Sequence, residues 1–265
     1  MRNQLKINRL ISYLALCAVA ILISSCGASH GASKKKDYKV LIYCKTAGFH
    51  HGSIKAGIAA IQKMGAENGF AVDSTVNESK FTDDNLKQYS AIIFLSTTGD
   101  FFKKDESKAA LKNYIEHGGG YVGIHAATDA EYNWQWYGDL SGGYFKGHPG
   151  GTPLATLDVV DSTSIATKHL PRRWTRKDEW YHYKFIAKDL HVLIKLDETS
   201  FKYEPKDEKL KMGADHPLAW YHDFDGGRSF YTELGHTDET YSDPLFLQHL
   251  LGGIEYAMGR KKMQK

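Results

Sequence analysis

The amino-acid sequence predicts an α/β protein with a doubly wound, mostly parallel sheet and helices on both faces. Between residues 38 and 125, short apolar segments alternate with helical patterns, which is the order of βαβ units. One of these segments, Ala91–Leu95, is continuously apolar, as is typical of a strand buried on both faces of a parallel sheet. The turn sequence Asp225-Gly226-Gly227 predicts a β-hairpin late in the chain.

The first half of this pattern contains four predicted strands and three predicted helices. The strands are residues 38–43, 71–76, 91–95 and 118–125, and the helices are residues 54–68, 83–88 and 105–117. Ser53 and Thr82 are positioned to cap the first two helices, because an N-cap hydroxyl accepts a hydrogen bond from a backbone N–H. Four residues are available for the inner face of the third helix: Ala109, Leu111, Tyr114 and Ile115.

After Ala127 the regular pattern is interrupted. Residues 129–153 are rich in glycine and aromatic residues without a period, which predicts long loops over the C-terminal ends of the strands. Later strands are expected at residues 154–160, 191–196, 218–224 and 228–234, with an exposed polar loop at residues 198–213. Pro244 is placed in the first turn of a last helix that runs to about residue 258.

The first 25 residues are expected to be a lipoprotein signal peptide, with a basic start and an apolar stretch at residues 10–23. The sequence Ile23-Ser24-Ser25-Cys26-Gly27 resembles a bacterial lipobox, so Cys26 is the expected lipidation site. A tether at residues 26–37 and a single domain at residues 38–260 would follow. This organisation places the protein in a bacterial cell envelope, bound to the membrane through the lipid. The alternatives are a plain secretory signal with an incidental cysteine and an uncleaved anchor helix.

Charge and cysteine content restrict the possible partners. The formal net charge is +3, from 34 basic and 31 acidic residues, but the leader alone contains three basic residues and no acidic one. The mature chain is therefore close to neutral, which gives no support to nucleic-acid binding. Cys17 lies in the leader and Cys26 would carry lipid, so Cys44 alone is left. A metal site in the mature chain would have to use histidine and carboxylate ligands.

Four histidines lie at predicted strand ends or on glycine-flanked loops: His51, His125, His148 and His236. Ligands of open α/β sheets bind at the carboxyl ends of the strands, so these side chains are expected to share a pocket. They are candidate ligands of a divalent metal such as zinc, and His125 and His236 are also candidate catalytic residues. The alternative for each histidine is a hydrogen-bonded structural role.

The candidate acids are Asp129, Asp178, Glu179 and Asp238. Glu179 precedes Trp180 and Tyr181, and partial burial in that setting would raise the pKa of its carboxyl and suit it to proton transfer. The alternative is a carboxylate paired with one of the arginines close by: Arg172, Arg173 and Arg176. Asp129 and Glu179 are retained as catalytic candidates.

All five tryptophans lie between Trp134 and Trp220. Aromatic faces stack on the apolar faces of sugar rings, so this clustering is typical of a carbohydrate cleft, although a hydrophobic lid or core would show the same composition. The candidate substrate-binding residues are Gly48, His51, Trp134, Tyr137, His148, Tyr181 and Trp220.

Several other kinds of site are not indicated. The segment Gly123-Ile124-His125-Ala126-Ala127 has the setting of a nucleophile elbow, but His125 replaces the serine or cysteine nucleophile. The sequence has no phosphate-binding GxxxxGK[ST] motif, no GxGxxG motif after a strand and no HExxH motif.

Together, several motifs resemble the trehalose-utilisation (ThuA-like) family, whose fold is related to class I glutamine amidotransferases. The matching stretches are residues 45–51, 118–125, 127–129 with Trp134 and Tyr137, 143–149, 178–181, 216–220 and 227–236, within a region from about residue 38 to 259. The resemblance implies a flavodoxin-like sheet and a role in sugar catabolism, linked to trehalose and its 3-keto derivatives. His50 departs from the pattern, since relatives usually carry arginine there, and His125 stands where relatives of the fold place a cysteine nucleophile.

These observations lead to an enzyme of carbohydrate catabolism that cleaves a glycoside or 3-keto-glycoside and is not an amidotransferase. A ketone at C3 acidifies the C2 proton, and His125 or Glu179 is the expected base. His51, His148 or His236 would polarise the keto oxygen, directly or through a metal. The alternatives are a non-catalytic sugar-binding protein and an adaptor with a vestigial pocket. A homo-oligomer is left open.

Overall fold

The computed structural model describes residues 37–264. The predicted leader, the lipidation site Cys26 and nearly all of the tether lie outside this range, so those predictions and the domain boundaries stay as predictions. None of the helices in residues 37–264 combines the length and the apolar character needed to cross a membrane.

Eleven strands and five α-helices lie in the described range. The strands are Lys39–Tyr43 (β1), Ala71–Thr75 (β2), Ala91–Leu95 (β3), Gly120–Ile124 (β4), Gly143–Gly147 (β5), Leu154–Val159 (β6), Arg173–Lys177 (β7), His182–Ile186 (β8), His191–Asp197 (β9), Pro217–Phe224 (β10) and Gly227–Thr232 (β11). The helices are Ile54–Asn68 (α1), Asp83–Leu86 (α2), Asp105–Glu116 (α3), Gln135–Ser141 (α4) and Pro244–Ala257 (α5).

Nine of the strands form one mixed sheet in the order β2-β1-β3-β4-β11-β10-β9-β6-β7. The first five pair in parallel, and the remaining four are added by antiparallel pairs. Because the direction alternates along the added strands, seven of the nine strands point the same way. This arrangement confirms the predicted mostly parallel α/β sheet, and it brings the carboxyl ends of β1, β3, β4 and β11 to a single edge.

The sheet is buried on both faces, and the side chains alternate between two cores. Val40 and Ile42 of β1 point to the face covered by α1 and α5, whereas Leu41 and Tyr43 point to the face covered by α2, α3 and α4. Every residue of β3 is buried, which explains its continuously apolar sequence. The helices therefore lie on both faces, as predicted.

The helix boundaries follow the expected signals with one exception. Thr82 accepts a hydrogen bond from the backbone N–H of Asn85 and caps α2 as predicted. Asp243 caps α5, and Pro244 occupies its first turn. Ser53 precedes α1 but does not cap it, because its hydroxyl donates instead to the carbonyl oxygen of Gly235, 182 residues away in the sequence. That hydrogen bond ties the start of α1 to the loop after β11.

The hairpin prediction is confirmed. β10 and β11 pair antiparallel, and Asp225 and Gly226 connect them with φ angles of 49° and 88°. Two successive positive φ angles are the geometry of a type I′ turn. A side chain at Gly226 would also meet the carbonyl oxygen of Glu116 at 2.6 Å, so this position accepts no larger residue.

Three local predictions are wrong. Ala109 is exposed, and Ala110 takes its place on the buried face of α3 with Leu111, Tyr114 and Ile115. Residues 129–153 contain α4 and β5 rather than loops alone, and β5 pairs with β8 in a separate two-stranded sheet. Four residues are buried within the segment 198–213 that was predicted to be an exposed loop: Glu198, Tyr203, Asp207 and Leu210.

Candidate metal centre

Three histidines and one glutamate meet at the carboxyl edge of the parallel strands. His51 follows β1, His125 follows β4 and His236 follows β11, while Glu179 comes from the segment between β7 and β8. One nitrogen from each histidine and one carboxylate oxygen lie within 4.8 Å of one another. These four residues are called the metal-centre cluster below.

His125 is held by the turn that ends β4. Its side chain is fully buried, and its φ of 52° lies in the left-handed region that a residue with a Cβ rarely adopts. The Nδ1 atom donates to the carbonyl oxygen of Glu233 at 2.8 Å. Because that nitrogen carries the proton in the neutral ring, the Nε2 lone pair is directed at His236 and Glu179.

The separations between the donor atoms match those around a tetrahedral zinc ion. His125 Nε2 lies 3.1 Å from His236 Nδ1, and Glu179 Oε2 lies 3.1 Å from His236 Nδ1 and 3.5 Å from His125 Nε2. Zinc bonds of 2.0–2.2 Å in tetrahedral geometry place neighbouring ligand atoms about 3.3 Å apart. The orienting bond from His125 Nδ1 to a backbone carbonyl is also the usual partner of a metal-bound histidine.

His51 completes the group from the opposite side. Its ring is 3% exposed and meets the rings of His125 and His236 edge-on, with centroid distances of 4.7 and 5.3 Å. Burial, together with the neighbouring His125 and His236, lowers the pKa of His51 to about 3, so its ring is neutral and has a lone pair to offer. Its Nδ1 atom is buried and has no hydrogen-bond partner within residues 37–264.

Glu179 is ionised, contrary to the prediction of a raised pKa. Burial opposes ionisation, but the neighbouring side chains of His125 and His236 outweigh it and hold the pKa of the Glu179 carboxyl well below its usual range. In return, the hydrogen bond to Glu179 raises the pKa of His236. The alternative pairing with arginine is also wrong for Glu179, because Arg176 pairs with Asp178 and Asp243.

Asp178 is a structural anchor of the site. Its Oδ1 accepts the backbone N–H groups of Glu179 and His236 at 3.1 and 3.0 Å. Its Oδ2 accepts from the Gly235 backbone, the Thr240 hydroxyl and the Arg176 guanidinium at 3.2–3.3 Å. One fully buried carboxylate thus fixes the backbone beneath two members of the metal-centre cluster.

His148 lies at the rim of the cluster and was predicted as a further metal ligand. Its side chain is 37% exposed, and its Nδ1 lies 3.1 Å from Glu179 Oε1 and 2.9 Å from the carbonyl oxygen of Pro149. Both neighbours are acceptors, so Nδ1 carries the proton and Nε2 is the basic nitrogen. The His148 ring is stacked with the rings of Phe145 and Tyr181, with centroid distances of 6.0 Å. The Tyr181 ring in turn lies 4.5 Å from that of His125.

Three other candidate residues, Asp129, Gly48 and Asp238, are not members of the metal-centre cluster. Asp129 is half-buried, accepts the Tyr132 hydroxyl at 2.5 Å and has a pKa raised by burial. Gly48 is exposed on the loop before His51, and its N–H donates to the Thr98 hydroxyl. Asp238 is exposed at the start of a short 3-10 helix and is not part of the metal-centre cluster.

The aromatic predictions are the least accurate part of the site. Trp220 and Tyr137 are fully buried and hydrogen-bonded to backbone carbonyls in the core, which does not fit substrate binding. Trp134 is half-buried and stacks on Trp136, 5.1 Å away. Among the predicted aromatic platforms, Tyr181 is the one in ring contact with a member of the metal-centre cluster.

Glu233 belongs to the site and was not predicted. It is fully buried at the end of β11, its Oε1 accepts the N–H of Tyr181 at 3.1 Å, and burial raises its pKa well above the usual value. Its backbone carbonyl orients His125. A glutamate inside the apolar run Phe230–Leu234 was the available signal in the sequence.

A family comparison identifies the group of proteins to which the chain belongs. The trehalose-utilisation family, ThuA, matches residues 39–257, which is most of the chain. The chain belongs to this family. A comparison with curated protein sequences finds no significant match.

Solved ThuA-like structures share the fold. A ThuA-like protein from Bacteroides uniformis is 26% identical, with a TM-score of 0.70 over 87% of this chain and 95% of that one. A ThuA-like protein from Parabacteroides merdae is 22% identical, with a TM-score of 0.68 over 87% and 93% of the two chains. A β-galactosidase from Bacillus circulans is 12% identical, with a TM-score of 0.54 over 84% of this chain and 31% of that one, and shows a likeness of fold alone.

Proposed function

We propose that this ThuA-family protein is a metal-dependent enzyme that cleaves a glycoside or 3-keto-glycoside of the trehalose type. The observation that carries the proposal is the metal-centre cluster, in which three separations between ligand atoms of His125, Glu179 and His236, at 3.1–3.5 Å, suit one tetrahedral zinc ion. The family's link to trehalose utilisation supports a sugar as the substrate. His51, His125, Glu179 and His236 would hold the metal, and because the His236 side chain is 25% exposed, a substrate oxygen would reach the ion as a fifth ligand.

A bound divalent metal would act as a Lewis acid that polarises a carbonyl oxygen, such as the C3 ketone of a keto-sugar. The chain itself then has to accept the C2 proton. Glu179 is a weak base because three histidines surround it, and His125 is held by the Glu233 carbonyl. His148 is exposed beside the cluster with a basic Nε2, so we assign the proton acceptor to His148 rather than to Glu179 or His125.

The proposed reaction is an elimination in which the keto-sugar loses its C2 proton and its C1 substituent, and it needs no further reactant. The C2–H bond breaks and its proton moves to His148. The C2 electron pair forms a double bond to C1, and the C1–O bond breaks with its electrons on the leaving sugar oxygen. That oxygen takes a proton, for which Asp129 is the nearby acid, because burial raises the pKa of its carboxyl.

The adjacent pair His50 and His51 allows a matched test. His50 is exposed and contacts Thr46, whereas His51 is buried in the cluster. Purified wild-type protein is expected to hold zinc by elemental analysis and to turn over 3-keto-trehalose or trehalose in a chelator-sensitive manner. His51→Asn should lose the zinc ion of the metal-centre cluster and the activity, and His50→Asn should keep both. A folded wild-type protein without zinc and without turnover of either sugar would overturn the proposal.

We also infer that the enzyme is a lipoprotein of the bacterial cell envelope. This inference is supported by the basic and apolar leader and by the lipobox-like sequence that ends at Cys26 and Gly27. The full-length protein should then partition with membranes and incorporate labelled palmitate, and Cys26→Ser should abolish the label. Unlabelled wild-type protein in the aqueous fraction would contradict the inference.

A further inference from the structure

A second group of buried polar side chains lies away from the metal-centre cluster. It consists of His182 at the start of β8, Glu198 after β9, and His216 before β10, with the hydroxyl of Tyr203 beside them. The two histidines are fully buried, and Glu198 and Tyr203 are 9% and 4% exposed. These four residues are called the His182 cluster. They come from two segments of the chain, the start of β8 and the connection between β9 and β10, and none of them was predicted as a site residue from the sequence.

Each histidine of this cluster has one nitrogen fixed by a backbone carbonyl. His182 Nδ1 donates to the carbonyl oxygen of Trp180 at 3.1 Å, and His216 Nε2 donates to that of Tyr181 at 2.8 Å. The remaining nitrogen of each ring therefore presents a lone pair to the centre of the cluster. Fixing a ring through its other N–H is how proteins orient a histidine that binds a metal.

The contact between His216 and Glu198 requires a positive charge. His216 Nδ1 and Glu198 Oε1 are 2.7 Å apart, and both are acceptors once Nε2 of His216 carries the ring proton. Glu198 also accepts the backbone N–H groups of Met212 and Gly213 at 2.8 and 3.1 Å, as an ionised carboxylate does. Either a proton or a metal cation must therefore lie between the two side chains.

We propose that the His182 cluster is a closed structural zinc site, with His182, Glu198, Tyr203 and His216 as ligands. His182 Nε2 lies 2.7 Å from the Tyr203 hydroxyl and 3.8 Å from Glu198 Oε1, and His216 Nδ1 lies 2.7 Å from the same oxygen. Two of these separations are hydrogen-bond distances, shorter than the approximately 3.3 Å between neighbouring ligands of tetrahedral zinc, so zinc would replace the bridging protons and move those atoms apart by about 0.6 Å. Four protein ligands in a buried position leave no open coordination site, which is typical of structural zinc.

The proposed zinc would stabilise the position of Tyr181 beside the metal-centre cluster. His216 donates to the backbone of Tyr181, and the ring of Tyr181 lies against that of His125. The polar segment between β9 and β10, which supplies Glu198, Tyr203 and His216, would thereby be fixed to the segment that carries Glu179. This inference does not rest on the proposed function, because it concerns a separate set of ligands.

The number of zinc ions per chain tests the proposal. Elemental analysis and native mass spectrometry of the full protein, loaded with zinc and freed of excess metal, should give two ions for the wild type. His182→Asn and His51→Asn should each give one, and the double variant should give none. His191→Asn is the matched control, because His191 is half-exposed and pairs with Asp161 outside both clusters; it should keep two.

A milder variant covers the case in which His182→Asn fails to fold. Tyr203→Phe keeps the ring contact with Phe201 and removes only the hydroxyl, so the zinc affinity of this site should fall by about tenfold or more. One ion in the wild type that is lost in His51→Asn but retained in His182→Asn and Tyr203→Phe would leave a protonated His216–Glu198 pair and overturn the proposal. One ion lost only in His182→Asn would support it and count against the proposed metal-dependent function instead.

Discussion

Replacing Asp178 by asparagine is expected to destabilise the protein more than any other change of similar size near the site. The carboxylate is fully buried and accepts five hydrogen bonds, three of them from the backbone of residues 179, 235 and 236. Asparagine has one acceptor oxygen in place of two. If that oxygen keeps the N–H groups of Glu179 and His236, the amide NH₂ faces Gly235, Thr240 and Arg176, all of which donate.

The loss of stability can be estimated from the hydrogen-bond donors that lose their acceptor when Asp178 is replaced. A buried donor without an acceptor costs about 1–3 kcal/mol. Arg176 also loses one of its two carboxylate partners and keeps Asp243 at 3.2 Å, and breaking a buried ion pair costs about 3–5 kcal/mol. Since the Thr240 hydroxyl can rotate, we expect the free energy of unfolding to fall by roughly 3–5 kcal/mol in Asp178→Asn.

Urea unfolding at pH 7.5 measures this change. Asp238→Asn is the control, because Asp238 is exposed on the loop after β11 and its replacement should change stability by no more than about 0.5 kcal/mol. Asp178→Asn should also weaken zinc binding about 10–100-fold, because the backbone beneath Glu179 and His236 is released. A loss of stability of less than about 1 kcal/mol, with an unchanged m-value, would refute the reasoning that Asp178 organises the site.

Two further predictions concern the core. His249 is fully buried between Ala166 and Thr232, and burial lowers its pKa to about 3. Its stabilising contribution is therefore present above the unfolded pKa of about 6.5 and is lost as the pH falls below that value, by roughly 2 kcal/mol between pH 7.5 and 5.0. His249→Gln should show that much less acid sensitivity in urea unfolding at the two pH values, and an identical pH dependence would contradict the assignment. Trp220→Phe removes the donor to the Ser141 carbonyl and should cost about 1–3 kcal/mol of stability without changing the KM for sugar. A raised KM at unchanged stability would restore Trp220 as a sugar platform.

The strands of the sheet could be predicted from the sequence where both faces of the strand are buried. The interior strands β3 and β4, and β1 after its first residue Lys39, are buried on both faces, so they lack charged residues and stand out from the helical segments. The edge strand β7 has the sequence Arg-Trp-Thr-Arg-Lys, in which Trp174 and Arg176 alone point inward. A buried arginine interrupts the alternation of apolar and polar residues, and the strand is therefore not visible from hydrophobicity.

The sequence predicted the histidines of the site but not the partners of its glutamates. Three histidines after parallel strands meet because those strands end at one edge, and this follows from topology. The partner of Glu179 depends instead on the path of the backbone between β7 and β8, which decides that Asp178 meets Arg176 while Glu179 meets the histidines. Glu198 is buried by His216, 18 residues further along the chain, so its local polar sequence pointed to the surface.

The backbone at His125 places a histidine in the strained turn where a nucleophile elbow places its nucleophile. A left-handed φ of 52° costs a residue with a Cβ roughly 1–2 kcal/mol, and that strain is held by the buried hydrogen bond from Nδ1 to the Glu233 carbonyl. In a nucleophile elbow the same strained turn presents a serine or cysteine at the sheet edge. Here the strain persists without a nucleophile, and it delivers an imidazole nitrogen to 3.1 Å from His236 Nδ1. The turn therefore serves to position a side chain at this edge, whichever chemistry that side chain brings, and in this protein the positioned group is a candidate metal ligand.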